Sequence, residues 1–240
     1  MRIHLLGQAR SGTTYLYNVI RQHYVTKQQV DFGNEPFNSD FRDSSTFSEQ
    51  LDLIAQTPRA VIKNHTLHLP QMPPEELDRL KGLMDFTVVV WRPNIFELTA
   101  SLCVSVTKDQ WYANQQDIKP IEVDPMMFKM FWKGFYWETM KLKNNYYNIK
   151  VDKWVRYDEL TRDTKQDWIN IGLCMTDPIA IVNFPKEYTN ISPPKDEIII
   201  NYEDLQNLSM ELVQQQEVNY WGNQDSLNIK ENIIEDFTCS

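Results

Sequence analysis

Cysteine is scarce in this chain: Cys103, Cys174 and Cys239 are odd in number and far apart. They supply neither a disulfide framework nor paired zinc-ligand spacing, and they fit a reducing compartment. Positive charge is also short, with 24 Lys and Arg against 33 Asp and Glu, a net charge of −9. Such a chain repels phosphate backbones, which excludes a general nucleic-acid binder with a broad basic face. An anionic ligand must therefore be held by a local cluster of positive groups. Long hydrophobic runs are missing too: no stretch of about 18 apolar residues occurs, so no membrane-spanning helix is expected. Met1 to Leu6 passes straight into a glycine-containing turn, which leaves no room for a signal peptide and predicts a soluble, cytoplasmic protein. What is present is ample core material, 42% hydrophobic and 12% aromatic over 240 residues, enough for one large α/β domain.

The apolar run 2–6, the turn Gly7-Gln8-Ala9-Arg10-Ser11-Gly12-Thr13-Thr14 and a helical pattern from Tyr15 to about His23 read as strand, loop, helix. An extended piece near Gln29–Phe32 leads to Asn34-Glu35-Pro36-Phe37, where proline ends any regular element. Helices are expected at Phe47–Gln56, Pro73–Met84 and Asn94–Val106, with strands at Arg59–Lys63 and Phe86–Trp91. The second of these strands is a continuous β-branched run, as in a strand buried on both faces of a parallel sheet. From Asp124, Phe128, Phe131, Trp132, Phe135 and Tyr136 form one stripe of a long helix, read as core packing in preference to an acceptor wall. Trp111, Tyr112 and Trp132 would suit a sugar, a phenol or plain packing equally. A strand at Val151–Tyr157, a helix over Asp158–Leu173, short apolar runs at Ile179–Val182 and Glu197–Ile200, and a final helix from Tyr202 to about Asn219 complete the pattern. Alternating strands and helices predict a doubly wound α/β sheet in a single domain spanning 1–240, with 174–240 weakly patterned.

The spacing Gly7-x4-Gly12 is that of a nucleotide-binding P-loop, in which successive backbone N–H groups at a helix start face an anion. The lysine that should follow the second glycine is replaced by Thr13. The buried strand Phe86–Trp91 ends in Arg92 where a P-loop NTPase places a magnesium-linked Asp. Both absences argue against an ordinary ATPase, GTPase or kinase and for an anion that carries no magnesium. Lys63 and His65 lie at the end of another strand, where α/β sheets place their chemistry, and a histidine titrates in the range a general base needs. His65-x-x-His68 lacks the convergent Cys or acidic ligands of a metal site, so no metal is expected. Glu35 in the Glu-Pro segment is a competing base.

The segment Gly7 to Leu16 resembles the 5′-phosphosulfate loop of the sulfotransferases that use PAPS, 3′-phosphoadenosine 5′-phosphosulfate, whose motif reads (K/R)SGTT and then an aromatic or apolar residue. The resemblance, which covers about residues 2–173, implies a three-layer P-loop-NTPase-like fold with a central parallel sheet flanked by helices. It implies that Arg10, Ser11, Gly12, Thr13, Thr14 and Tyr15 form the cofactor loop, with Arg10 also acting on the transferring group. Lys63 and His65 match the family's Lys-x-His segment, leaving-group stabiliser and general base, while Glu35 resembles the Glu-Pro base of the carbohydrate branch. Arg92 and Ser101 resemble the pair on the 3′-phosphate. The family's serine falls one residue earlier, at Ala100, and one residue rotates a helical side chain by about 100°, so Thr99 and Ser105 are substitutes for Ser101. Tyr157 resembles the tyrosine near the adenine, and the family's late Arg-Lys-Gly clamp has no counterpart. The implied activity is sulfuryl transfer from PAPS, leaving PAP, to a hydroxyl or amine of a small-molecule or carbohydrate acceptor, without metal. A nucleotide or nucleoside kinase with an altered P-loop and a non-catalytic PAP-binding module are the alternatives.

Overall fold

The computed structural model describes residues 1–24, 35–37, 46–108, 119–160 and 194–221. The expected strand near Gln29–Phe32, the loop aromatics Trp111 and Tyr112, the helix beyond residue 160 and the run Ile179–Val182 lie outside the described residues. The chain divides into two compact units, Met1–Arg92 with Glu138–Thr189 and Pro93–Trp137 with Asn190–Ser240.

The first unit holds four strands, β1 (Arg2–Gly7), β2 (Ala60–His65), β3 (Phe86–Trp91) and β4 (Lys153–Arg156), in one all-parallel sheet of order β2-β1-β3-β4. Its helices are α1 (Thr13–Tyr24), α2 (Phe47–Gln56) and α3 (Pro74–Leu83), with a 3-10 turn at Thr66–Gln71. Thr46 starts α2 with a reciprocal cap: its hydroxyl accepts from the Glu49 N–H, and its own N–H donates to the Glu49 carboxylate.

Neighbouring residues on a strand point to opposite faces, and that alternation sorts the core. Ile3, Leu5, Val61, Val88, Val90 and Val155 pack on Leu16, Tyr17 and Ile20 of α1. The other face carries Ala60 and Ile62 under α2 and α3 with Phe37, and Leu6 and Val89 under Leu142, Tyr147 and Ile149. Helical layers thus cover both faces, which explains why β3 reads as an unbroken apolar run. His4 and Asn64 form a buried polar pair on the second face, ring nitrogen to amide 3.0 Å, and the Asn64 Oδ1 has no hydrogen-bond partner among the described residues.

The second unit holds α4 (Ile95–Lys108), the first part of α5 (Pro125–Lys143), the short α6 (Lys195–Ile198) and α7 (Tyr202–Trp221). The aromatic stripe is core, as expected: Phe128 and Trp132 are fully buried, Trp132 stacks on Tyr136, and its indole N–H donates to Ser209 at 2.8 Å. Around the short run at 197–200, Ile199 bridges to Ile121.

Candidate active site at the sheet edge

In a parallel sheet every strand ends at the same edge, and ligands bind there where successive connections leave in opposite directions. β1 lies between β2 and β3, so its C-terminal Gly7, in register with His65 on one side and Val90 on the other, opens the loop at such a point. A side chain at Gly7 would stand 2.4 Å from the Val90 carbonyl and 2.5 Å from the Thr13 methyl, so the loop closes tightly only with glycine there. Arg10 and Gly12 adopt left-handed backbone, φ 66° and 87°. The Ser11 hydroxyl donates to the Gln8 carbonyl at 2.7 Å, with the Val90 carbonyl at 3.1 Å, so Ser11 shapes the loop and leaves only its backbone for a ligand.

β2 is longer than its apolar run, since it continues through Lys63 to His65. Lys63 and His65 share the face of Val61, toward α1. The Lys63 ammonium is 1% exposed and donates to the Thr14 hydroxyl at 2.8 Å, in the first turn of α1. On its other side it meets the Glu35 Oε1 at 2.7 Å, and the same oxygen takes His65 Nε2 at 2.8 Å. The His65 Nδ1 faces the Gly7 carbonyl at 3.4 Å. His68 completes the group: its Nδ1 accepts from the His65 N–H at 3.3 Å, which puts its proton on Nε2, 3.8 Å from Glu35 Oε2. Glu35 itself has φ 73°, a strained conformation for a non-glycine residue. Sequence reasoning treats His65 and Glu35 as rival bases; the geometry joins them as one acid–histidine pair with Lys63 attached.

The charges respond accordingly. Burial alone would raise the Glu35 carboxyl, but the hydrogen bond and charge of His65 and Lys63 outweigh it and bring it down to about 2. Burial lowers Lys63, with Glu35 opposing. Burial also lowers Arg10, and the neighbouring Arg92 charge adds to that while Tyr157 opposes it. Two guanidinium groups held within range of each other, in a chain of net −9, form the local positive cluster that an anion needs. The Arg92 guanidinium lies 4.5 Å over the Tyr157 ring, and that ring lies where a side chain at Gly12 would stand, 2.8 Å away. Arg10, Gly12, Arg92 and Tyr157 thus adjoin one end of the loop and Lys63, Glu35 and His65 the other, at Thr14. Thr13 is buried beneath the loop and Tyr15 packs against the core.

Ser101 lies in α4 of the second unit, buried, and accepts at its carbonyl from the Ser105 hydroxyl. Thr99 likewise donates to its own helix, at the Ile95 carbonyl. Three residues escape sequence reasoning. His68 reads there only as half a metal pair, and among the described residues no group of three or more His, Cys, Asp or Glu could hold a metal ion. Gln8 donates from its side chain to Thr139 at 2.7 Å, tying the loop to the end of α5. Glu138 accepts from the buried Thr66 hydroxyl at 2.6 Å, beside His65 in sequence, and burial pushes its carboxyl up to about 7. The available signal was position: Glu138 continues the aromatic stripe one turn past Phe135, a lone carboxylate on an apolar face. Compared with known proteins, the sequence matches no protein-family model and no curated protein.

Proposed function

We propose that this chain is a PAPS-dependent sulfotransferase of P-loop-like fold that transfers a sulfuryl group to a hydroxyl or amine of a small-molecule or carbohydrate acceptor. The observation that carries this reading is the buried Lys63, held between the Thr14 hydroxyl at the glycine loop and a carboxylate that also engages His65. The donor set suits an ester with separated anionic ends: Arg10, the loop backbone, Thr13, Thr14 and Lys63 for the 5′ end, Arg92 and Tyr157 for the nucleoside end. PAPS, when bound, supplies an activated sulfuryl group and leaves as PAP.

Catalysis then consists of positioning and charge stabilisation. Glu35 accepts the His65 Nε2–H and fixes that ring; Nδ1, 3.4 Å from the Gly7 carbonyl, takes the acceptor's proton, and the Nδ1–H so formed can then donate to that carbonyl. Glu35 is an orienting group here, since a carboxylate held down to about 2 is a poor base at neutral pH. Lys63 and Arg10 bring positive charge to the loop, as in phosphoryl transfer.

Calorimetric titration with PAP, ATP and magnesium ATP tests the reading, alongside sulfate transfer to an acceptor panel. PAP should bind in preference to magnesium ATP; Arg10→Ala should lose both binding and transfer, and His65→Ala transfer alone. Preference for magnesium ATP, or both variants matching wild type, would sink the assignment.

A further inference from the structure

The two strand ends that build the site are each held by the same helix. Gly7 and His65 are partners in register, and the residue after each, Gln8 and Thr66, sends its side chain to α5. The Gln8 amide donates to the Thr139 hydroxyl at 2.7 Å, and the Thr66 hydroxyl donates to the Glu138 carboxyl at 2.6 Å. Adjacent residues of α5 thus hold adjacent strand ends, Thr139 that of β1 and Glu138 that of β2. Leu142 shares their helix face and packs on Leu6 and Val89, which seats this end of α5 on the sheet face away from α1. All four polar side chains are buried, and all belong to the first unit. Stability gives little reason for such pairs. Replacing both partners of a buried hydrogen bond by apolar groups of the same shape is nearly neutral, and Glu138 adds the cost of a buried carboxyl. What apolar packing lacks is direction, which a hydrogen bond supplies through its narrow range of distance and angle. Each bond also leads straight to the site. The Gln8 carbonyl accepts the Ser11 N–H at 3.3 Å and the Ser11 hydroxyl at 2.7 Å, so the place of Gln8 sets that of the loop. Thr66 opens the 3-10 turn to Gln71, which brings His68 back to the His65 N–H.

We propose that Glu138 and Thr139 are positioning residues for the site: Thr139 places the glycine loop that receives the anion, Glu138 places the turn that holds His65 and His68, and their adjacency on α5 fixes the spacing of the two. This role deepens the proposed transfer reaction, on which it rests, by naming what sets the distance from donor to base. Transfer is sensitive to that distance, since a misplacement of about 1 Å costs about a hundredfold in rate.

The test replaces both partners of each bond in the full chain, Thr66→Val with Glu138→Leu and Gln8→Leu with Thr139→Val, so that neither leaves half of a bond buried. Both double variants should unfold in urea near the wild-type midpoint. The first should lower kcat for sulfate transfer roughly ten- to a hundredfold and leave PAP affinity by calorimetry unchanged. The second should weaken PAP about tenfold and slow transfer only when PAPS is below saturation. Glu138→Gln and Thr139→Ser, which keep an acceptor, should each stay close to wild type. NMR of the ligand-free chain reads the same division without an acceptor: the first variant should shift the ring nitrogens of His65 and His68, the second the amides of Arg10 to Thr14, each sparing the other set. Where a double variant fails to fold, Thr66→Ala or Thr139→Ala is read in its place. Equal loss of PAP binding and transfer in both variants, or spectra in which both sets or neither set moves, overturns the positioning role. PAP binding by wild type separates the two claims. If PAP binds and the two variants behave alike, the positioning role alone fails; if wild type binds no PAP, the transfer reading fails and the spectra decide whether α5 places the two strand ends.

Discussion

At Glu35 a single carboxylate settles the arrangement of three other side chains. Lys63 is buried and has one carboxylate opposite it, so removing that negative charge leaves an ammonium in a low-dielectric site. Glu35→Gln should therefore lower stability by about 3 kcal/mol, read from urea unfolding. Glu35 also sets an acid limit. It titrates near 4.5 in the unfolded chain and near 2 in the fold, so its contribution is complete above 4.5 and is lost as pH falls toward 2. His68 is the other residue of this network with a checkable role. His68→Gln can keep a donor toward Glu35 and His68→Asn cannot, so Gln should preserve the His65 imidazole nitrogen signals in NMR and Asn should shift them. Equal spectra would show that His68 acts only through packing. The pairing of His65 with Glu35 was not legible beforehand, because thirty positions separate them and no periodicity links them.

The elements around the site were largely legible, and their boundaries fail in one informative place. Phe86–Trp91 and Phe47–Gln56 fall where β-branched continuity and helical spacing put them. Lys63 looks like a strand end because charged residues leave the core; it lies inside β2 because Thr14 and Glu35 satisfy it there. The loop joining β1 to α1 depends on two glycines for different reasons. Gly12→Ala must adopt φ 87° and displace the Tyr157 ring, 2.8 Å from the new methyl. The left-handed conformation costs about 1 to 2 kcal/mol, and moving Tyr157 disturbs its stack under Arg92. Gly12→Ala should weaken PAP binding by calorimetry more than it lowers the unfolding midpoint in urea. Gly7→Ala, which meets the Val90 backbone carbonyl, should show the reverse order, with stability falling most.

For the molecule as a whole, two buried groups pull stability in opposite directions with pH. His4 is held neutral by burial, down to about 4 from 6.5, so its contribution falls as pH drops through that window. Glu138 rises by burial from 4.5 to about 7, so the fold binds the extra proton and stability falls as pH rises through that window. Between 4.5 and 6.5 the two effects oppose each other and nearly cancel. Glu138→Gln removes one of them. The variant should lose stability on acidification where wild type stays level, and above pH 7 it should exceed wild type by up to roughly 3 kcal/mol. Urea midpoints across that range decide it, and parallel curves for the two proteins would refute the cancellation. The sequence by itself determined the α/β class, the strand–loop–helix at Gly7 and the need for a local positive site in an acidic chain, because periodicity, glycine spacing and net charge are properties of the chain alone. Only the tertiary structure decided that Lys63 is buried, that Glu35 serves His65, and that Glu138 and Thr139 meet Thr66 and Gln8. Those facts depend on which distant residues a parallel sheet brings to one edge or one face, and burial and charge coupling arise only once they meet.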